Sequence, residues 1–172
     1  MTTLTTAAFG AVLLTAIASS SQAQGATAIA IASPSQVVAW QTIKGIAQAN
    51  NMVGGIAGGG QPWSTREGGF VLADLTSGEL QFAVVGLVRA GGDAIGTPGA
   101  VNQIKGTLVC GPGSSSPKVI DTPLVSLDAQ GNANFVGSFA SSTAGCSPTD
   151  VAFLVRTPDG AWIGNGSVRA LP

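Results

Sequence analysis

The sequence predicts an all-β fold: a single antiparallel β-sandwich of immunoglobulin-like type, with about seven or eight strands and a helical signal segment in front. Three observations predict it. Apolar residues recur at period two through most of the chain after Gly68, the spacing of half-buried strands. Turn residues interrupt the pattern about every ten residues. No long amphipathic helical pattern breaks the series.

The chain opens MTTLTTAAFGAVLLTAIASSSQAQG. Residues 7–18 form an apolar run, short of the roughly 20 residues that span a bilayer. Ser21-Gln22-Ala23 has the small-x-small form of a cleavage site, so residues 1–23 read as a secretory signal peptide with Gln24 as the mature N-terminus. No Lys or Arg precedes the apolar run, and an uncleaved anchor or buried helix is the alternative. Residues 24–59 read as an N-terminal extension. Within it, SQVVAWQTIKGIAQANN fits a helix capped by Ser35, with Val38, Thr42 and Ile46 near helical spacing. It fits a strand nearly as well, because Val37, Val38, Thr42 and Ile43 are poor helix formers. VGGIAGGGQPW reads as loop.

Residues 60–172 carry the sandwich. GGFVLADL and LQFAVVGLVR form a hairpin about Ser77-Gly78, with Leu80, Phe82, Val84, Gly86 and Val88 on one face. AVNQIKGTLVC aligns Ile104, Gly106, Leu108 and Cys110 against Lys105 and Thr107. In VIDTPLVSL, Pro123 lacks a backbone donor, so this strand belongs at an edge or is broken. DAQG turns into a strand aligning Phe135, Gly137 and Phe139. VAFLVR, TPDG and AWIGNGSV make the last hairpin, with Pro158 and Gly160 supplying the turn conformations.

Charged residues are 9% of the chain, His and Tyr are absent, and the formal net charge is −1. An ordinary domain has about 25% charged residues. No basic face for nucleic acid emerges. A weakly charged surface resists self-association poorly. The absence of His excludes Ser-His and Cys-His nucleophiles and histidine metal sites. The two cysteines, Cys110 and Cys146, favour a disulfide in an exported protein and supply too few soft ligands for zinc. No metal and no cofactor is implied.

GLVRAGGDAIGTPGAV is glycine-rich like a phosphate loop, yet a strand pattern rather than a helix follows it, and no Lys-Ser/Thr follows Gly99. It reads as a loop between strands. Ser115-Ser116-Pro117-Lys118 matches S-x-x-K but contains Pro117, so its members do not share a helix face. Asp128, Gln130, Asn132 and Asn134 imitate a calcium loop without its glycine and terminal Glu; a hairpin turn explains them. The sequon at Asn165 lies in a predicted strand. Trp63, in GGGQPWSTREGG, is either an exposed binding residue or a lid on the core. It is the centre of a candidate ligand site with Arg66 and Trp162.

GQPWSTREGGFVLADL, GELQFAVVGLVRAGGDAIGTPGAVNQIKGTLVC and GCSPTDVAFLVRTPDGAWIGNGSV together resemble a loose group of small exported bacterial β-rich proteins with no assigned activity. The resemblance spans about residues 60–168. It implies export and a β fold, and no catalytic residues. In composition the chain also looks like small secreted actinobacterial sandwiches that carry apolar chromophores, but it lacks their four cysteines.

The expected protein is extracytoplasmic, whether secreted, periplasmic or at the cell surface, with no membrane span after processing. It is expected to act without catalysis, in surface association, adhesion or self-assembly, with the cell envelope or another copy as partner. One alternative is a carrier of small apolar ligands with a pocket near Trp63. The other is a hydrolase, which needs two of Asp74, Glu79, Asp93, Asp121 and Asp128 to converge.

Overall fold

The computed structural model describes residues 36–170. The expected signal peptide, residues 1–23, lies outside them. Every regular element among the described residues is a strand. In chain order these are β1 (Val37–Gly45), β2 (Met52–Val53), β3 (Ile56–Ala57), β4 (Trp63–Ser64), β5 (Gly68–Asp74), β6 (Glu79–Val85) and β7 (Val88–Arg89). Then come β8 (Gln103–Cys110), β9 (Lys118–Asp121), β10 (Val125–Ser126), β11 (Ala133–Ser138), β12 (Val151–Arg156) and β13 (Trp162–Ala170).

The main sheet is antiparallel, in the order β10-β8-β12-β13-β1-β5-β6-β11, with β9 also paired to β8. It curls into a half-barrel of eight strands, and two backbone bonds link its end segments. The Ala140 N–H donates to the Asp121 carbonyl at 2.8 Å, and the Asp128 N–H to the Asn132 carbonyl at 3.0 Å. Between these two bonds no ladder forms among the described residues. The reason is legible in the chain. The Thr122 N–H points toward β8 and bonds the Gly106 carbonyl. By strand alternation the next donor would face β11, and that residue is Pro123, which has none.

The all-β, antiparallel expectation is met, and VIDTPLVSL is a broken edge segment, β9 and β10, as Pro123 requires. The ladder is continuous and lends no support of its own to immunoglobulin-like connectivity. Of segment 35–51, left open between helix and strand, Val37–Gly45 form the strand β1. It sits between β5 and β13 in mid-sheet, so the expected N-terminal extension contributes a central strand. Val38, Trp40 and Ile43 all point inward, which means the inward phase slips by one along β1. The slip lies beside Val168 of β13, whose φ is +53°.

The core lies inside the curl. Leu80, Phe82 and Val84 are buried as the period-two reading of β6 expected, with Val71 and Ala73 beside them on β5. Phe82 meets Phe153 of β12 with centroids 5.5 Å apart, and Phe153 also meets Trp40 at 5.9 Å. These are favourable tilted aromatic contacts, and that of Phe82 with Phe153 crosses the interior between strands far apart in the sheet order. Gly106 lies beneath them: a Cβ there would stand 2.9 Å from both phenyl rings. The expected disulfide is present, Cys110 to Cys146 with Cα atoms 5.3 Å apart. It ties the end of β8 to the loop before β12.

Candidate functional site

The outer face of β5, β6 and β11 is the most distinctive surface of the chain. In β5, Val71 and Ala73 point in, so Phe70 and Leu72 must point out, where they are 40% and 44% exposed. Val136 of β11 is 70% exposed. The registers place these side chains in rows. Ala39, Leu72, Gln81 and Val136 line up across β1, β5, β6 and β11, and Phe70, Ala83 and Asn134 form the next row. Cross-strand neighbours stand about 5 Å apart, so Phe70, Leu72 and Val136 share one stripe, with Gln81 between Leu72 and Val136.

A groove of about 330 Å³ runs along the end of this stripe, lined by Val37, Leu72, Leu80 and Val136 together with Asp74, Glu79 and Gln81. Asp74 and Glu79 bracket the β5–β6 turn. The Asp74 carboxylate accepts from the Thr76 N–H at 2.8 Å and from the Ser77 hydroxyl at 3.0 Å. The Thr76 amide is the main cause of its lowered pKa, followed by the Ser77 hydroxyl. So two of the five carboxylates considered for hydrolysis do share a groove. One of them is held ionised by its turn, and an acid–base pair needs its members' pKa values pushed apart by environment.

A second groove, of about 490 Å³, lies at the opposite end of β1 and β5. Thr42, Lys44, Trp63, Arg66, Glu67 and Gly68 line it. Here the expected ligand residues can be placed. Trp63 is only 4% exposed; its backbone N–H bonds the Ile46 carbonyl at 2.7 Å, and the Arg89 guanidinium covers its ring at 5.8 Å. Trp162 is equally buried and donates its indole N–H to the Asn51 carbonyl at 3.0 Å. Gly59 lies between the Trp63 indole and the Trp162 backbone: a Cβ on it would be 3.8 Å from Trp63 Nε1 and 3.8 Å from the Trp162 carbonyl oxygen. Both rings therefore lie in the core, and Arg66 is the exposed member of the three.

The remaining polar clusters are structural. Asp121 accepts from Lys105 at 2.7 Å, Thr107 at 2.7 Å and Arg156 at 3.0 Å. Burial alone would raise its carboxyl pKa; the bonds from Lys105 and Thr107 and the nearby cations outweigh this and hold it low. Asp128 is held low chiefly by the Asn132 amide, in the turn that imitates a calcium loop. The Asn132 side chain in turn accepts from the Gly86 N–H at 3.0 Å. GGDAIGTPG folds as a loop between β7 and β8, closed by the Arg89 N–H to the Thr97 carbonyl. Among the described residues no group of three or more His, Cys, Asp or Glu gathers as a metal site, and no helix is long and apolar enough to cross a membrane.

Sequence reasoning missed Phe70, Leu72 and Val136. The signal was present: FVLA in β5 and FV in β11 are unbroken apolar runs where strict alternation would give polar outward residues. Compared with family models, curated proteins and solved structures, the chain matches none.

Proposed function

We propose that the protein is a non-catalytic extracytoplasmic protein that works by association, through the outer face of β5, β6 and β11, with a surface or with further copies of itself. The observation that carries this reading is the exposed stripe of Phe70, Leu72 and Val136. Contiguous exposed apolar surface on a soluble chain marks interaction sites. The Cys110–Cys146 disulfide supports an oxidising compartment and agrees with export behind the signal segment, as the resemblance to small exported bacterial β-proteins also implies. The same reading takes the curled sheet as a flattened sandwich, supported by the contact of Phe82 with Phe153 across its interior.

The test is sedimentation of the purified protein over a wide concentration range, with binding to isolated cell envelope in parallel. Leu72→Glu and Val136→Glu should weaken whichever association is found. A protein that stays monomeric and ignores the envelope would end this proposal.

A second reading, a carrier of small apolar ligands, draws on the groove formed by Val37, Leu72, Leu80 and Val136 rather than on the buried Trp63. Equilibrium dialysis against short-chain apolar ligands tests it, with Leu72→Glu expected to abolish uptake.

A further inference from the structure

The outer face is polar at its two ends and uncharged in its middle. The middle rows, with Ala39, Phe70, Leu72, Gln81, Ala83 and Val136, contain no charged side chain. One end of β5 carries Asp74 and Glu79. The other carries Lys44 and Arg66 with Glu67 beside them, which leaves one net positive charge there. Among the described residues the ion pairs involve Asp121 alone among the acids, so none of Lys44, Arg66, Asp74 and Glu79 has an ion-pair partner among them. Seven strand residues separate the ends, roughly 20 Å at strand rise. That exceeds the screening length of about 8 Å at physiological salt.

We infer that this face is the contact of a two-fold symmetric homodimer, in which two sheets stack with their β5 strands antiparallel. The inference rests on the association reading above and names the partner as a second copy. The charge layout selects the orientation. A two-fold axis in the contact plane and perpendicular to the strands lays the acidic end of each copy over the basic end of the other. A two-fold axis parallel to the strands lays like on like and is repelled. In the first arrangement the face is complementary to itself, as an isologous contact requires. Phe70, Leu72 and Val136 supply the apolar centre, and the charges at the ends fix register and orientation rather than most of the affinity.

Two variants test this, built at surface positions. The acid-end variant is Asp74→Asn with Glu79→Lys, where Asn keeps an acceptor for the turn. The basic-end variant is Lys44→Glu with Arg66→Glu. Analytical ultracentrifugation of the purified full chain should show a wild-type dimer. Each variant alone should have a dissociation constant raised about tenfold or more, because the two-fold doubles each lost contact. A 1:1 mixture of the two should dimerise like the wild type, since each end again meets its opposite.

Variants that dimerise as well as the wild type would overturn the inference while leaving the association reading standing, as would a mixture no tighter than its parts or open-ended growth instead of dimers. A wild type that is monomeric throughout and binds only the envelope would overturn the inference alone; one that binds neither would overturn both. If a charge variant loses its native circular dichroism, Leu72→Glu in the uncharged middle carries the test: it must abolish the dimer, and a persisting dimer refutes the contact.

Discussion

Replacing Cys110 and Cys146 together by Ala should cost this fold about 4 kcal/mol. The two sulfurs are joined across a sequence separation of 36. Closing a loop of that length removes about 13 cal/mol/K of unfolded-chain entropy, or roughly 4 kcal/mol at 25 °C. The native loop does not depend on the bond for its shape. The Phe139 N–H bonds the Gly78 carbonyl at 3.0 Å, the Gly111 N–H bonds the Asp150 carbonyl at 2.9 Å, and the Thr143 hydroxyl bonds the Leu75 carbonyl at 2.7 Å. These anchors survive the substitution, so the loss resides mainly in the unfolded chain. Cys110 and Cys146 are 7% and 8% exposed, and removing buried sulfur adds to the loss rather than offsetting it. The assay is urea denaturation of oxidised wild type, reduced wild type and the double Ala variant, followed by tryptophan fluorescence. The melting temperature should fall by about 10 °C or more. A double variant within about 1 kcal/mol of the wild type would refute the entropic account, and free thiols in non-reducing mass analysis would refute the bond itself.

Gly106→Ala should destabilise by about 1–3 kcal/mol through overpacking, because its Cβ would press on the rings of Phe82 and Phe153 at 2.9 Å; chemical denaturation reads it, and a neutral result would mean the facing strands are not in contact. Asp121 has a lowered folded pKa, so its stabilisation is complete above the unfolded carboxyl value of about 3.9 and fades as pH falls through the folded value. Asp121→Asn should therefore cost about 1–2 kcal/mol at neutral pH, and its gap to the wild type should close on acidification; a gap independent of pH would contradict the Lys105–Asp121–Arg156 network. Trp40, Trp63 and Trp162 are each 4% exposed, so native emission should be blue-shifted and resist acrylamide. Ready quenching would reopen the exposed reading of Trp63.

Much of this architecture was legible in the chain because strands announce themselves by alternation. The hairpins at Ser77-Gly78 and Pro158-Gly160, the inward stripe of β6, the break at Pro123 and the disulfide partners all follow from local patterns. β1 was ambiguous for a physical reason. Its inward phase slips between Trp40 and Ile43, which turns a period of two into spacings that imitate a helix. Two-residue strands such as β2, β3, β4 and β7 are too short to leave a periodic signal. The outer face was hidden because its rows join β1, β5, β6 and β11, and cross-strand register is not written in any one segment.

The Pro123 segment, a broken edge of the sheet, bears on how copies of this chain could associate. An exposed edge strand invites pairing with another chain through unpaired backbone groups. Here the curl turns the two edges of the sheet toward each other, fastened by Asp121 to Ala140 at one end of the seam and by Asp128 to Asn132 at the other. Pro123 lies in that seam, so its missing donor faces β11 of the same molecule rather than solvent. The two edges thus face each other, joined at the ends of the seam and without a ladder between. What the fold leaves uncovered is the convex face, where Phe70, Leu72 and Val136 have no polar neighbours except Gln81 and Asn134 in their rows. A chain with 9% charged residues has few side chains with which to guard such a face. The charges it has there stand at the two ends, with opposite net sign. Association through a face rather than an edge follows from that placement.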